Sequence, residues 1–333
     1  MNREMKRRGV LRRAGSLLKT AIVGCAIGLA GQAQAAEFNP TRPVRLVYPF
    51  PAGQTGDFYW RGLGAELTKL WKQPVIIDNR PGAGGVIATD FVMRSPQDGY
   101  ILLATGTTTL GLGLFNKIAF DPTKDLRLVS IVYDADVVLT TNAAVPVKNF
   151  AEFVAYAKAN PGRLNYASLG KNSTMMYLEW FKRVTGTNIR EIPYRGTPDQ
   201  IEAMLRNDVQ LMYIQARPIK SQFDSGKFRP LFIVSPQRLP DMPDIPTNVE
   251  VGLPDYRPPQ WSAVMAAKQM PDDLIQKIRA DVLRAAAAPE LEPVLFNQGN
   301  RAFKGTAKQG DEQWDYTVKV LTDLAKELNI KPE

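Results

Sequence analysis

Val44-Arg45-Leu46-Val47-Tyr48-Pro49-Phe50-Pro51-Ala52-Gly53-Gln54-Thr55-Gly56-Asp57 reads as a short apolar strand that runs into a Pro/Gly-punctuated loop. Asp57 then opens an aromatic-rich helix through Phe58, Tyr59 and Trp60. The device recurs close by, where Val75-Ile76-Ile77-Asp78 leads into Asn79-Arg80-Pro81-Gly82-Ala83-Gly84-Gly85. A helix start offers unpaired N–H groups and the positive end of a dipole, so two such turns predict a place that holds an anion. Asp57 itself suits an N-cap better than a ligand contact, because its charge would oppose an anion.

Outward from this stretch the chain alternates strand and helix. Tyr59 to Leu70 is a helix with Leu63, Leu67 and Leu70 on one face, and Tyr100 to Thr105 is a third strand. Strands at 128–133 and 137–141 follow, and a second unit begins near Asn142. There Ser168-Leu169-Gly170-Lys171-Asn172-Ser173 and Tyr194-Arg195-Gly196-Thr197 again join a strand end to a helix start. The spacing predicts α/β architecture with mostly parallel sheets flanked by helices. Loops at the carboxyl ends of such strands form the usual ligand crevice. An ordinary turn is the competing reading of each. Pro240, Pro243, Pro246, Pro254, Pro258 and Pro259 stiffen a crossover toward Trp261, which suits either a hinge core or the cleft.

The first 36 residues read as a signal peptide. Arg3, Lys6, Arg7, Arg8, Arg12 and Arg13 precede the apolar run 17–30, Lys19 lies near its start, and Ala33-Gln34-Ala35-Ala36 supplies small residues for cleavage. A membrane anchor and lipidation at Cys25 are the alternatives. With Cys25 removed, the rest of the chain has no thiol. This segment carries seven basic residues and Glu4, a net +6 of the chain's +9, which leaves about +3 for the remainder and no case for nucleic acid. Histidine is absent, so the commonest general base and zinc ligand are missing. Neither G-x-G-x-x-G, a phosphate loop ending in Gly-Lys-Ser/Thr, nor G-x-S-x-G occurs. No cofactor, metal or catalytic residue is expected.

Arg217, just past a strand and before Pro218, is the sharpest single candidate, a guanidinium placed to clamp a carboxylate. A solvated surface arginine is the other reading. Arg195 and Lys171 are weaker versions of the same idea. Phe50, Phe58, Tyr59, Trp60 and Tyr194 cluster near the loops, some as core and some as an apolar wall for a ligand.

With these residues in view, the chain resembles the periplasmic solute-binding proteins of tripartite tricarboxylate transporters, the Bug-type or TctC-like receptors. The resemblance rests on Arg42-Pro43-Val44, Tyr48-Pro49-Phe50-Pro51-Ala52-Gly53 with Asp57, Asn79 to Gly85, Pro96-Gln97-Asp98-Gly99-Tyr100, Asn160-Pro161-Gly162, Tyr166-Ala167-Ser168 with Gly170, Pro193 to Gly196, Pro243 to Thr247, and Trp261. It implies a two-lobed type II periplasmic binding protein of the Venus-flytrap kind. Lobe 1 would take residues 37–141 plus 256–333, and lobe 2 residues 142–255. The implied ligand is a small carboxylate, delivered to the large and small membrane subunits of a permease by a monomeric receptor. Phe50, Ala52, Gly53, Gln54, Thr55, Asp57, Ala83, Gly84 and Gly85 would hold one carboxylate. Ser168, Thr197 and Arg217 would read the distal part. An orphan sensor and an exported hydrolase that works without histidine are the alternatives.

The sequence departs from the family at Gln54, at Met176, where relatives often carry histidine, and over Tyr213 to Arg217. Those changes lead to the expectation of a dicarboxylate, with an aromatic one such as terephthalate in view.

Overall fold

The computed structural model describes residues 38–53, 55–194 and 196–332. The expected signal peptide with Cys25, and the candidates Gln54 and Arg195, lie outside the described residues. Two sheets organise the chain. The first has the order β11-β4-β10-β3-β1-β2 and the second β7-β6-β8-β5-β9. In the first, β1 (Val44–Tyr48) lies parallel to β2 (Val75–Asn79) and β3 (Ile101–Gly106). β4 (Leu126–Ala135), β10 (Trp261–Ala267) and β11 (Asn300–Ala302) complete it in antiparallel pairs. In the second, β6 (Leu164–Ser168) is parallel to β7 (Ile189–Pro193) and β8 (Leu211–Gln215). There β5 (Val137–Asn142) runs antiparallel between β8 and β9 (Phe228–Val234).

The sheets are therefore mixed rather than mostly parallel. The cause is connectivity: β5 and β10 each enter a sheet from the other lobe, at the edge where the parallel strands end, and must run back against them. The expected boundary near residue 142 is corrected in the same way. Val137 to Asn142 pairs with Val234 to Phe228 and with the β8 strand, so it belongs to the second sheet and the chain crosses at Asp136. An apolar run such as Val137-Val138-Leu139 suits either sheet, and only its distant partner decides.

Helices cover both faces. α1 (Thr55–Trp71) buries Tyr59, Trp60, Leu63 and Leu67 completely, at the i, i+3, i+4 spacing of one helical face. Each such leucine contributes roughly 2 kcal/mol through burial. α2 (Val86–Arg94), α3 (Phe150–Ala159), α4 (Ser173–Thr185), α5 (Thr197–Leu205), α6 (Asp272–Ala286) and α7 (Ala307–Glu327) are the other long helices among the described residues. α7 starts in a capping box, Thr306 with Gln309, and ties to β10 where Trp261 Nε1 donates to Thr317 Oγ1 at 2.9 Å. Trp261, 2% exposed and packed on Trp314, is thus a core residue beside the crossing. One cluster of buried side chains runs from Leu103 and Leu110 to Tyr177, Phe181 and Tyr213, and so joins the two sheets. The proline-rich crossover packs on it, with the Tyr256 hydroxyl donating to Tyr177 O at 3.1 Å. No helix among the described residues is long and apolar enough to cross a membrane.

Candidate functional site

The parallel strands β1, β2, β6 and β7 end at the edges where the chain crosses between sheets, and each hands the chain to a helix start. The first loop is locked from below by Asp57. This carboxylate is 2% exposed and accepts from Gly53 N at 3.0 Å, Arg61 Nε at 2.8 Å and Asn79 Nδ2 at 2.9 Å. Asn79 Nδ2 also donates to Phe50 O at 3.0 Å, and Arg61 Nη2 donates to Asn79 Oδ1 at 3.0 Å. Burial alone would raise the Asp57 pKa, but the hydrogen bonds from Arg61, Gly53 and Asn79 outweigh it and hold the carboxyl below its usual range. Asp57 therefore fastens the loop by reaching back from the third residue of α1. Arg61, one turn on, went unmarked in the sequence, although the i, i+4 spacing of Asp57 and Arg61 is legible there.

Gly56 sits over the Tyr48 phenol: a Cβ on it would lie 2.3 Å from the Tyr48 hydroxyl. Burial pushes that phenol far above its ordinary pKa, so it stays neutral. Tyr59 and Trp60 are core residues in an aromatic cluster with Tyr48 and Tyr133, whereas Phe50 is half-buried and Phe58 is 58% exposed. Ala52 and Gly53 are exposed, Gly53 has φ +81°, and a side chain there would meet nothing within 4 Å.

The second loop lies against the first. Gly82, Ala83, Gly84 and Gly85 all take positive φ, and a Cβ on Gly85 would touch Pro49 at 3.4 Å. Such a run suits glycine and brings backbone N–H groups to the surface. Gly85 caps α2 with no side-chain hydrogen bond, and the first turn of α2 carries no acidic residue. The N–H groups of Ala83 and Gly84 have no hydrogen-bond partner among the described residues.

The second lobe is furnished differently. Ser168 is fully buried; its hydroxyl donates to Glu191 Oε1 at 2.5 Å and accepts from Gly170 N at 3.0 Å, so it shapes the turn. Asn172 caps α4 through Met175 N at 3.2 Å. Thr197 opens α5 after Gly196, without a side-chain cap but with Asp199 in the first turn. Met176 is fully buried in the core, so it does not stand in for a cleft histidine. An open groove of about 670 Å³ beside β6 and β7 is lined by Leu169, Gly170 and Tyr194, together with Asp199, Glu202 and Arg206. Its two carboxylates make it a poorer seat for an anion than the α2 start.

Arg217 is not a free cleft guanidinium. Its side chain is 10% exposed, donates to Asp136 Oδ2 at 2.8 Å and to both oxygens of Asp241 at 2.9 and 3.0 Å, and lies over the Phe296 ring at 4.3 Å. The two aspartates come from distant parts of the chain and consume the donors that a ligand would need. The structure thus brings Phe50, Gly53 and Asp57 together with the loop from Ala83 to Gly85, and sets Arg217 apart. Among the described residues no group of three or more carboxylates, cysteines or histidines could hold a metal ion.

The family model described as the tripartite tricarboxylate transporter family receptor matches residues 60–330. The protein BugT of Bordetella pertussis (strain Tohama I) is 32% identical over 296 residues, 87% of this chain and 90% of BugT. A Rhodopseudomonas palustris protein solved with adipate has a TM-score of 0.74 and 26% identity, over 88% of this chain and 99% of its own. MatC of the same organism, solved with bound malate, has a TM-score of 0.72 and 26% identity, over 86% and 99%. The chain belongs to the tripartite tricarboxylate transporter receptor family, as a periplasmic solute receptor with a two-lobed α/β fold and not an enzyme.

Proposed function

We propose that this receptor binds a small carboxylate between its lobes and delivers it to the large and small membrane subunits of a tripartite tricarboxylate permease. The observation that carries the reading is the start of α2, uncapped and free of acidic residues, with the N–H groups of Ala83 and Gly84 unpartnered among the described residues. A carboxylate there gains charge-assisted hydrogen bonds and the helix dipole. The adjoining loop from Phe50 to Gly53, held by Asp57 and Asn79, forms the other jaw. Two relatives of known structure carry malate and adipate, both dicarboxylates, which supports the same class for this chain.

The finer reading is a dicarboxylate with a planar aromatic body, such as terephthalate. Apolar side chains stand beside both sets of loops: Phe50 and Phe58 on one lobe, Leu169 and Tyr194 on the other. Gln54 supplies an amide where relatives usually carry glycine. Closure of the lobes over the ligand, in the flytrap manner, would turn on the crossings at Asp136 and at Pro258 to Gln260.

Titration calorimetry of the mature chain against malate, adipate and terephthalate tests this. Binding of at least one is expected, with a smaller radius of gyration in scattering at saturation. Binding of neutral sugars or amines alone would overturn the carboxylate reading, and tight binding of malate without terephthalate would overturn the aromatic one.

A further inference from the structure

A cavity of about 400 Å³ lies at the crossing between the lobes, and none of the residues of the candidate carboxylate loops lines it. Its wall is drawn from both sides of the hinge: the end of β4 and the helix α7 on one side, the start of β5 and the β8 strand on the other. The segment before β10 closes it with Pro258, Pro259 and Gln260.

Three features mark it as built to hold something. Tyr213 and Gln260 both line the cavity, and the Tyr213 ring, 6% exposed, gives it an aromatic face. The charges in the wall are also unequal. Arg257 and Arg301 face Asp134 alone. Arg301 gives its Nε to Asp136, and Arg257 gives its Nε to Pro254 O at 2.8 Å, so the terminal nitrogens of Arg257 have no carboxylate among the described residues. Asp134 accepts from Gln313 at 2.9 Å, and burial pushes its carboxyl up, which weakens the one negative charge. Finally, Pro258, Pro259 and Val137 are buried and give the cavity an apolar side.

We infer that this hinge cavity is a second binding site, which takes a small monocarboxylate with an apolar body and biases lobe closure when filled. The carboxylate meets Arg257, and the body lies against the prolines and Tyr213. A guest that touches both sides of a hinge binds one lobe arrangement better than the other, and by linkage it shifts the affinity of the cleft. The inference does not depend on the identity of the cleft ligand.

The probe is benzoate, titrated into the mature chain by calorimetry. Arg257→Gln should weaken benzoate by about tenfold, the loss of one charge-assisted hydrogen bond. Arg257 is exposed, so this variant should fold as the parent does. Val249→Trp, at an exposed position on the cavity wall, should fill the space and give a second, independent loss at the same site. Gly85→Ala, in the cleft loop, should leave benzoate binding unchanged. Unaltered binding in both hinge variants, loss of binding in Gly85→Ala, or no benzoate binding by the parent chain would each overturn the proposal.

Discussion

Asp136 and Arg217 face each other across the crossing between the two sheets, with Arg217 Nη1 donating to Asp136 Oδ2 at 2.8 Å. Asp136 is fully buried, and its other oxygen takes Arg301 Nε at 2.6 Å from the first sheet. Its backbone is bound on both sides as well, with N donating to Gly299 O and O accepting from Ala216 N. Arg217 therefore acts as a tether. Removing one partner of a buried ion pair costs about 3–5 kcal/mol, because the other charge is left behind. Since Arg301 still serves Asp136, Arg217→Met should lose about 3 kcal/mol of stability, at the low end of that range. Urea unfolding measures this, alongside calorimetry with the cleft ligand. A variant of unchanged stability that no longer binds ligand would return Arg217 to the binding site.

Asp57 gives the molecule a pH dependence whose sign is fixed. Its folded pKa is lowered below the ordinary 3.8, so the unfolded chain binds more protons between the two values. The stabilisation is fully present above the ordinary carboxyl range and is lost as pH falls through the folded pKa. Asp57→Asn should cost about 2 kcal/mol near neutrality, through its hydrogen bonds to Arg61 and Gly53. The gap between parent and variant should narrow below about pH 4. Paired unfolding curves at pH 7 and pH 3.5 check this; a gap that widens on acidification would contradict it.

Much of this arrangement was legible in the residues, and the exceptions share a cause. Strand, glycine loop and helix start follow one another locally, so the Val44 to Asp57 and Val75 to Gly85 units could be read with their helices. Contacts between distant segments could not. Arg217 looked like a cleft cation because its partners Asp136 and Asp241 stand 81 and 24 residues away. Val137 to Asn142 went to the wrong lobe because its pairing with β8 and β9 is equally remote. Met176 matched a family position but points into the core, where its place on α4 is set by packing. Ser168 was placed at the right turn, yet its hydroxyl serves Glu191 and Gly170.

Gly56 tests the packing under the first loop. Alanine is the better helix former by about 1 kcal/mol, so the substitution would help α1 if space allowed. Its Cβ would lie 2.3 Å from the Tyr48 hydroxyl, and Tyr48 is 7% exposed within the aromatic cluster. Gly56→Ala should therefore cost about 1–3 kcal/mol, the usual price of overpacking. Tyr48→Phe removes the nearest atom and leaves the ring carbon that bore it, 3.2 Å from the same point. The double variant should recover at least half of the loss. A double-mutant cycle by thermal unfolding reads the coupling directly; additive effects would mean that the clash is relieved elsewhere.

Asn79 is the residue on which both loops depend, since one amide nitrogen serves Phe50 O and Asp57 Oδ1 together. Asn79→Asp keeps the shape and reverses the chemistry. Two donated hydrogen bonds vanish, and a second carboxylate is set against the buried Asp57. Only Arg61 then stands between two like charges. The cost should be about 2–3 kcal/mol at neutral pH. One of the two carboxyls must then titrate with a raised pKa, so the folded state takes up a proton before the unfolded chain does. The variant should accordingly gain more stability than its parent as pH falls from 7 toward 5. Ligand affinity should weaken with the loosened loop and recover in part over the same interval. Urea midpoints of both proteins at pH 7, 6 and 5 decide the matter, and a variant that parallels its parent throughout would show that Asn79 does not hold Asp57 in solution.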